Sequence, residues 1–136
     1  MGFAAIKTGS VIRYPYLWRR EALSGEAAGR KDRLVVVAVR LTRADCDQLL
    51  LLAITTKRPA ASTGLEIPET ERRRAGLDPD RPLWVIVSET NFDIVGRSHH
   101  LRPEAPIGRF SRSFVARIRQ AFAEAGGLSG AVSRRE

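Results

Sequence analysis

The chain is poor in the residues that would tie it to metals, disulfides or membranes. It has one cysteine, Cys46 in "TRADCDQ". A lone thiol forms no intrachain disulfide, so a reducing, cytoplasmic setting is predicted. It also leaves no partner cysteines for a zinc cluster, and Asp45 and Asp47 beside it disfavour the thiolate that catalysis would need. Long apolar runs are missing. The longest is "LLLLAI", far short of the roughly 20 residues a membrane helix requires, so no membrane association is expected. The opening "MGFAAIKTGS" is too short and too weakly apolar for a signal peptide, and Ile6 stands where a myristoylation signal has Ser or Thr. Acids are scarce: 15 Asp and Glu face 23 Lys and Arg, for a formal charge of +8. That excess fits either a solvated Arg-rich surface or a polyanionic partner such as nucleic acid, an anionic membrane surface or an acidic protein. No internal repeat and no low-complexity segment interrupts the chain.

With 43% hydrophobic residues over 136 positions, the sequence can bury a core without staples. One domain over 1–136 is expected, with its core at about 9–126 and residues 127–136 as a frayed tail. Four apolar segments read as strands: Ser10 to Trp18, Leu34 to Leu41, Gln48 to Thr56 and Leu83 to Thr90. Pro15 demotes part of the first to an edge or bulge. A fifth, short strand fits "GLEIP", Gly64 to Pro68. "PETERRRAGLD" has Pro68 to start a short helix and Gly76 to stop it, and its "ERRRAG" reads as a solvated face. "SRSFVARIRQAFAEAGG" is strongly amphipathic. Phe110, Phe114, Ile118 and Phe122 recur every four residues, Arg112, Arg119 and Ala123 lie opposite, and Gly126-Gly127 ends it. The "TRADCD" gap is too short for a crossover helix, which excludes βαβ units. The predicted class is mainly β with helices (α+β), a small half-open antiparallel barrel capped by the C-terminal helix.

Polar groups gather at the ends of these strands. In "GEAAGRKDRLVVVAV", Arg30, Lys31 and Arg33 crowd together directly before an apolar strand. Thr55 and Thr56 close the third strand, and Ser88, Glu89 and Asn91 close the fourth. In a small antiparallel barrel such ends can converge on one rim. His99-His100, adjacent in an extended segment, point to opposite faces and chelate poorly, so no metal and no cofactor are expected. Tyr14, Tyr16, Trp18 and Trp84 belong to the core, or, where the rim leaves one exposed, can stack unpaired bases.

The order of these pieces resembles the PemK/MazF family of toxin–antitoxin ribonucleases. The pieces are "GSVIRY", then "GEAAGRKDRLVVV", "LLLLAITT", "GLEIPETERRRAGLD", "WVIVSETN" and a C-terminal helix, covering roughly Gly9 to Ala125. The resemblance implies an SH3-like barrel that cuts single-stranded RNA without metal, works as a homodimer and is silenced by a cognate antitoxin. It places Arg33 and Thr55 in the catalytic slots, with an acid at Glu89; the polar groups beside them, Arg30, Lys31, Thr56 and Asn91, are then expected against RNA. Two departures stand out. Leu34 follows Arg33 where the family usually has Pro, and the first loop is long, so Arg30 competes with Arg33. The same fold also carries gyrase poisons and inactive relatives, so a nonenzymatic binder is the alternative. The chemistry of the residues agrees in outline. Cleavage by the substrate's own 2′-OH builds negative charge on phosphorus. An Arg fork pairs with phosphate oxygens but is a poor base. Thr55 can donate a hydrogen bond, and Glu89 or Glu26 can accept a proton.

Overall fold

A computed structural model describes residues 2–25, 31–97 and 100–134. The fold is α+β, an open and mostly antiparallel sheet with three helices. Its strands are β1 (Ser10–Tyr14), β2 (Arg33–Leu41), β3 (Gln48–Thr55), β4 (Gly64–Glu66), β5 (Trp84–Ile86), β6 (Thr90–Ile94), β7 (Gly108–Arg109) and β8 (Ala131–Ser133). The helices are α1 (Arg19–Leu23), α2 (Glu69–Arg74) and α3 (Arg112–Glu124). The sheet runs β4-β5-β3-β2-β1-β7, with β6 also on β3 and β8 added to β6 in parallel.

The long pair β2–β3 is the spine, and its sequence follows from burial on both faces. Val36, Ala38, Leu52 and Ile54 point into one cluster with Phe110, Phe114, Val115, Ile118 and Phe122. Val35, Val37, Leu49, Leu51 and Ala53 point the other way, against Ile6, Tyr14, Tyr16 and Leu101. Successive strand side chains alternate faces, so a strand covered on both sides reads as an unbroken apolar run. A bulge between Val37 and Val39 absorbs the one irregularity in this ladder.

Helix α3 covers the first face as its periodicity predicts. Ser111 caps it by accepting the Phe114 N–H at 3.2 Å, and Gly126 and Gly127, both at positive φ, end it. Phe110 and Phe114 meet edge to face with centroids 5.0 Å apart. The "ERRRAG" helix is less solvated than its composition implies. Arg72 donates to the carbonyls of Ile67 (2.6 Å) and Pro79 (2.9 Å), and Glu71 accepts from the Ser111 N–H and hydroxyl. Only Arg73 and Arg74 on that helix are exposed cations.

Three boundaries differ from the sequence expectation. The first strand stops at Tyr14, because Pro15 cannot continue the ladder, and Arg19–Leu23 forms a short helix instead. The fourth strand is two strands, β5 and β6, each paired to β3 and separated by Val87–Glu89. The segment expected to fray is ordered as far as Arg134: a 3-10 turn spans Gly127–Gly130, β8 joins the sheet, and Arg134 is only 2% exposed. Its backbone N–H donates to the Phe92 carbonyl at 2.6 Å, and its guanidinium has buried acceptors, so the tail repays the entropy of ordering.

Both tyrosines of the chain are buried, at 0% and 1% exposure. Burial, and then the negative charge of Asp93, hold the Tyr14 phenol well above its ordinary pKa; its O–H donates to Asp93 Oδ2 at 2.5 Å. Burial and Glu89 do the same for Tyr16. In the unfolded chain both ionise near pH ~10, so their contribution to stability is full below that pH. It falls above it by about 1.4 kcal/mol per pH unit for each tyrosine. Alkaline titration of phenolate absorbance should therefore show no reversible step near pH ~10. The signal should appear only as circular dichroism reports unfolding. Titration of either phenol with the fold intact would contradict this burial.

Candidate functional site

Strands β2 and β3 are paired from Leu41–Gln48 to Val35–Ala53 and no further. Two more steps of the same register bring Leu34 across from Ile54 and Arg33 across from Thr55. There the strands part: Arg33 and Leu34 remain on β1, opposite Tyr14 and Arg13, while Ile54 and Thr55 remain on β5. The opening between them is the mouth of a groove of about 680 Å³. Leu34, Ile54, Leu83 and Ile86 form its apolar lining, with Trp18 and Arg20 contributed from around α1 and Thr56, Lys57, Arg58 and Pro59 from the segment after β3.

The charge of this groove is one-sided. Arg20, Lys31, Arg33, Lys57 and Arg58 line it against a single carboxylate, Asp32. Asp32 is itself held by the Arg102 guanidinium, whose pKa that contact raises. Arg33 makes no ion pair among the described residues. Its guanidinium carbon lies 5.4 Å from the centre of the Trp18 ring, as does that of Arg20. The indole thus supports both cations without neutralising them. The Thr55 hydroxyl oxygen accepts the Lys57 backbone N–H at 3.1 Å, which fixes the side chain and leaves its hydrogen to donate. The groove can grip an oxyanion with planar forks, an ammonium pair and an oriented hydroxyl.

Of the residues expected at the site, Arg33, Thr55, Lys31 and Thr56 come together here. Arg30, Glu26 and His99 lie outside the described residues. Glu89 and Asn91 do not line the groove. Glu89 accepts from the Arg19 backbone N–H at 3.0 Å and from the Tyr16 hydroxyl at 3.3 Å. Asn91 is fully buried, accepting the Leu17 N–H at 2.9 Å and donating to the Leu17 carbonyl at 2.7 Å. It therefore cannot reach RNA, correcting the role expected for it. Both residues anchor the segment that carries Trp18, one remove from Arg33.

Arg134 completes this anchor, donating to the Pro15 carbonyl (2.7 Å), Asn91 Oδ1 (3.2 Å) and His100 Nδ1 (2.9 Å). A guanidinium has no acceptor, so Nδ1 of His100 carries the lone pair in this contact. His100 is thus a structural partner of the C-terminal residues. Sequence reasoning did not single out Arg20, Lys57, Arg58 or Asp32. "TTKRP" carried a signal for two of them, since Lys57 and Arg58 directly follow the strand-end threonines. Arg20 gave none, because only the fold returns α1 to the mouth of β2. Among the described residues no cluster of His, Cys, Asp or Glu could hold a metal ion, and no helix is long and apolar enough to cross a membrane.

Compared with known protein families and with curated proteins, the chain matches none.

The structural role of Asn91 is directly testable. Asn91→Ala leaves the buried N–H and carbonyl of Leu17 without their partners, at about 1–3 kcal/mol for each group. Chemical denaturation should show a loss of about 2–6 kcal/mol. Asn91→Ala with wild-type stability would return this residue to the list of surface candidates.

Proposed function

We propose that the groove binds single-stranded RNA and cleaves it by attack of the 2′-OH on the adjacent phosphorus. The observation that carries this reading is the meeting of Arg33 and Thr55 across the parted ends of β2 and β3. These are the two positions that the resemblance to PemK/MazF toxins marks for catalysis. In this reading the sheet is the half-open SH3-like barrel of that family, the chain acts as a homodimer, and an acidic antitoxin competes for the cationic groove.

The 2′ oxygen forms a bond to phosphorus, and the bond from phosphorus to the 5′ oxygen breaks. The products are a 2′,3′-cyclic phosphate and a 5′-hydroxyl, the departing 5′ oxygen taking its proton from solvent water. Arg33 pairs with the nonbridging oxygens as charge builds on them, with Lys31 and Lys57 adding to the field. Thr55 donates its hydroxyl hydrogen to one of those oxygens. Among the described residues Asp32 is the one carboxylate lining the groove, which makes it the candidate to take the 2′ proton in place of Glu89. Its engagement by Arg102 favours a second reading, a nonenzymatic RNA binder, because that contact competes with proton transfer.

Cleavage of a panel of single-stranded RNAs separates the two. Arg33→Ala and Thr55→Ala should each slow cleavage by ~10² to 10³, the usual cost of one preorganised donor, while Thr55→Ser keeps most activity. Cleavage should persist in excess EDTA and stop when the attacking 2′-OH is replaced by hydrogen. Intact RNA throughout, with tight binding that Arg33→Ala weakens, would establish the binder. RNA neither bound nor cut would sink both readings.

A further inference from the structure

A second cationic track lies at the other end of the sheet. Arg33 and Arg40 are seven residues apart on β2, about 23 Å at the rise of a strand. Beside the Arg40 end, Arg109, Arg112 and Arg119 line a hollow of about 300 Å³ between β7 and α3. An adjoining hollow of about 420 Å³ shares Thr8 and Arg109 with it and adds Lys7. Neither hollow shares a lining residue with the first groove.

The arginines are arranged rather than scattered. Arg112, Ala116 and Arg119 fall at i, i+4 and i+7, one face of α3, with the two guanidinium-bearing positions about 10 Å apart along the axis. Ala116 between them leaves the hollow open. Arg109 continues the row from β7, where its Nε–H donates to the Thr8 carbonyl at 3.0 Å. Among the described residues, none of Lys7, Arg109, Arg112 and Arg119 has a carboxylate partner. The one acid at the track, Asp47, is held by Arg40 at 2.7 Å.

We propose that this track is a second nucleic-acid contact, gripping the phosphodiester backbone of a single strand without regard to sequence. Its apolar floor decides against a protein partner. Phe110 and Val115 are only 3% and 5% exposed, so a docking polypeptide finds no apolar anchor to bury, and protein interfaces depend on such anchors. Backbone binding needs only charge and hydrogen-bond donors, which the arginine row supplies. The inference does not depend on cleavage in the first groove.

The experiment uses a fluorescent oligo-dT strand, which lacks the 2′-OH and cannot be cut, and follows its affinity for the full chain against salt. Arg112→Glu with Arg119→Glu removes two contacts. The slope of log affinity against log salt should fall by about 1.4, or 0.7 for each contact on a single strand. Arg81→Glu with Arg97→Glu changes net charge equally at exposed positions outside both sites and should leave the slope near wild type. Both double variants replace exposed side chains, and circular dichroism checks that they fold. Equal slopes in the two double variants would overturn the proposal. So would a polyglutamate peptide that binds the track while oligo-dT does not, which would assign it to an acidic protein.

Discussion

The spine β2–β3 must be buried on both faces, and this one demand organises the rest of the chain. A strand pair with apolar side chains above and below needs two covers. α3 provides one. The other is assembled from pieces: the N-terminal segment around Ile6, the aromatic stretch Tyr14–Trp18 and the loop at Leu101. Past Tyr14, the last residue of β1, none of these pieces is a regular element of useful length, so none is held by its own ladder. Buried polar contacts hold them instead: Asn91 to Leu17, Arg134 to Pro15, and Tyr14 to Asp93. Such groups are costly to bury unless fully paired, and paired they fix one arrangement of the cover.

The groove is a consequence of where that spine ends. Pairing of β2 with β3 stops at Val35 and Ala53, and each strand then stays with its outer neighbour. A sheet that splits this way exposes the last side chains of both strands to a common space. Arg33 and Thr55 occupy those positions. Trp18 walls the same space because the polar anchor of the second cover holds its segment there. Core and site are therefore linked through Glu89 and Asn91, which touch the aromatic segment and not the groove.

Unneutralised positive charge is the second theme. Five cations around one engaged carboxylate repel one another, and folding alone gives no return for that repulsion. An anion in the groove removes it and gains charge-assisted hydrogen bonds. The row on α3 repeats the pattern at the far end of β2, which extends an electrostatic footprint beyond a single pocket.

Periodicity carried much of this in the sequence. The four-residue recurrence from Phe110 to Phe122 determined α3 and its buried face, and the unbroken runs in β2 and β3 determined a spine covered on both sides. Arg33 and Thr55 were legible as polar groups at the ends of apolar strands that can converge on one rim, together with Thr56, Ser88, Glu89 and Asn91. Tertiary structure decided the rest. Asn91 and Glu89 look like functional polar groups in one dimension, yet their hydrogen-bond partners lie 74 and 70 positions away, at Leu17 and Arg19. The C-terminal residues look like a polar tail, yet Arg134 finds its acceptors at Pro15 and Asn91. Sequence periodicity reports which side of an element faces water. Which distant backbone group satisfies a buried polar side chain depends on the packing of segments far apart in the chain, and only the folded structure sets that.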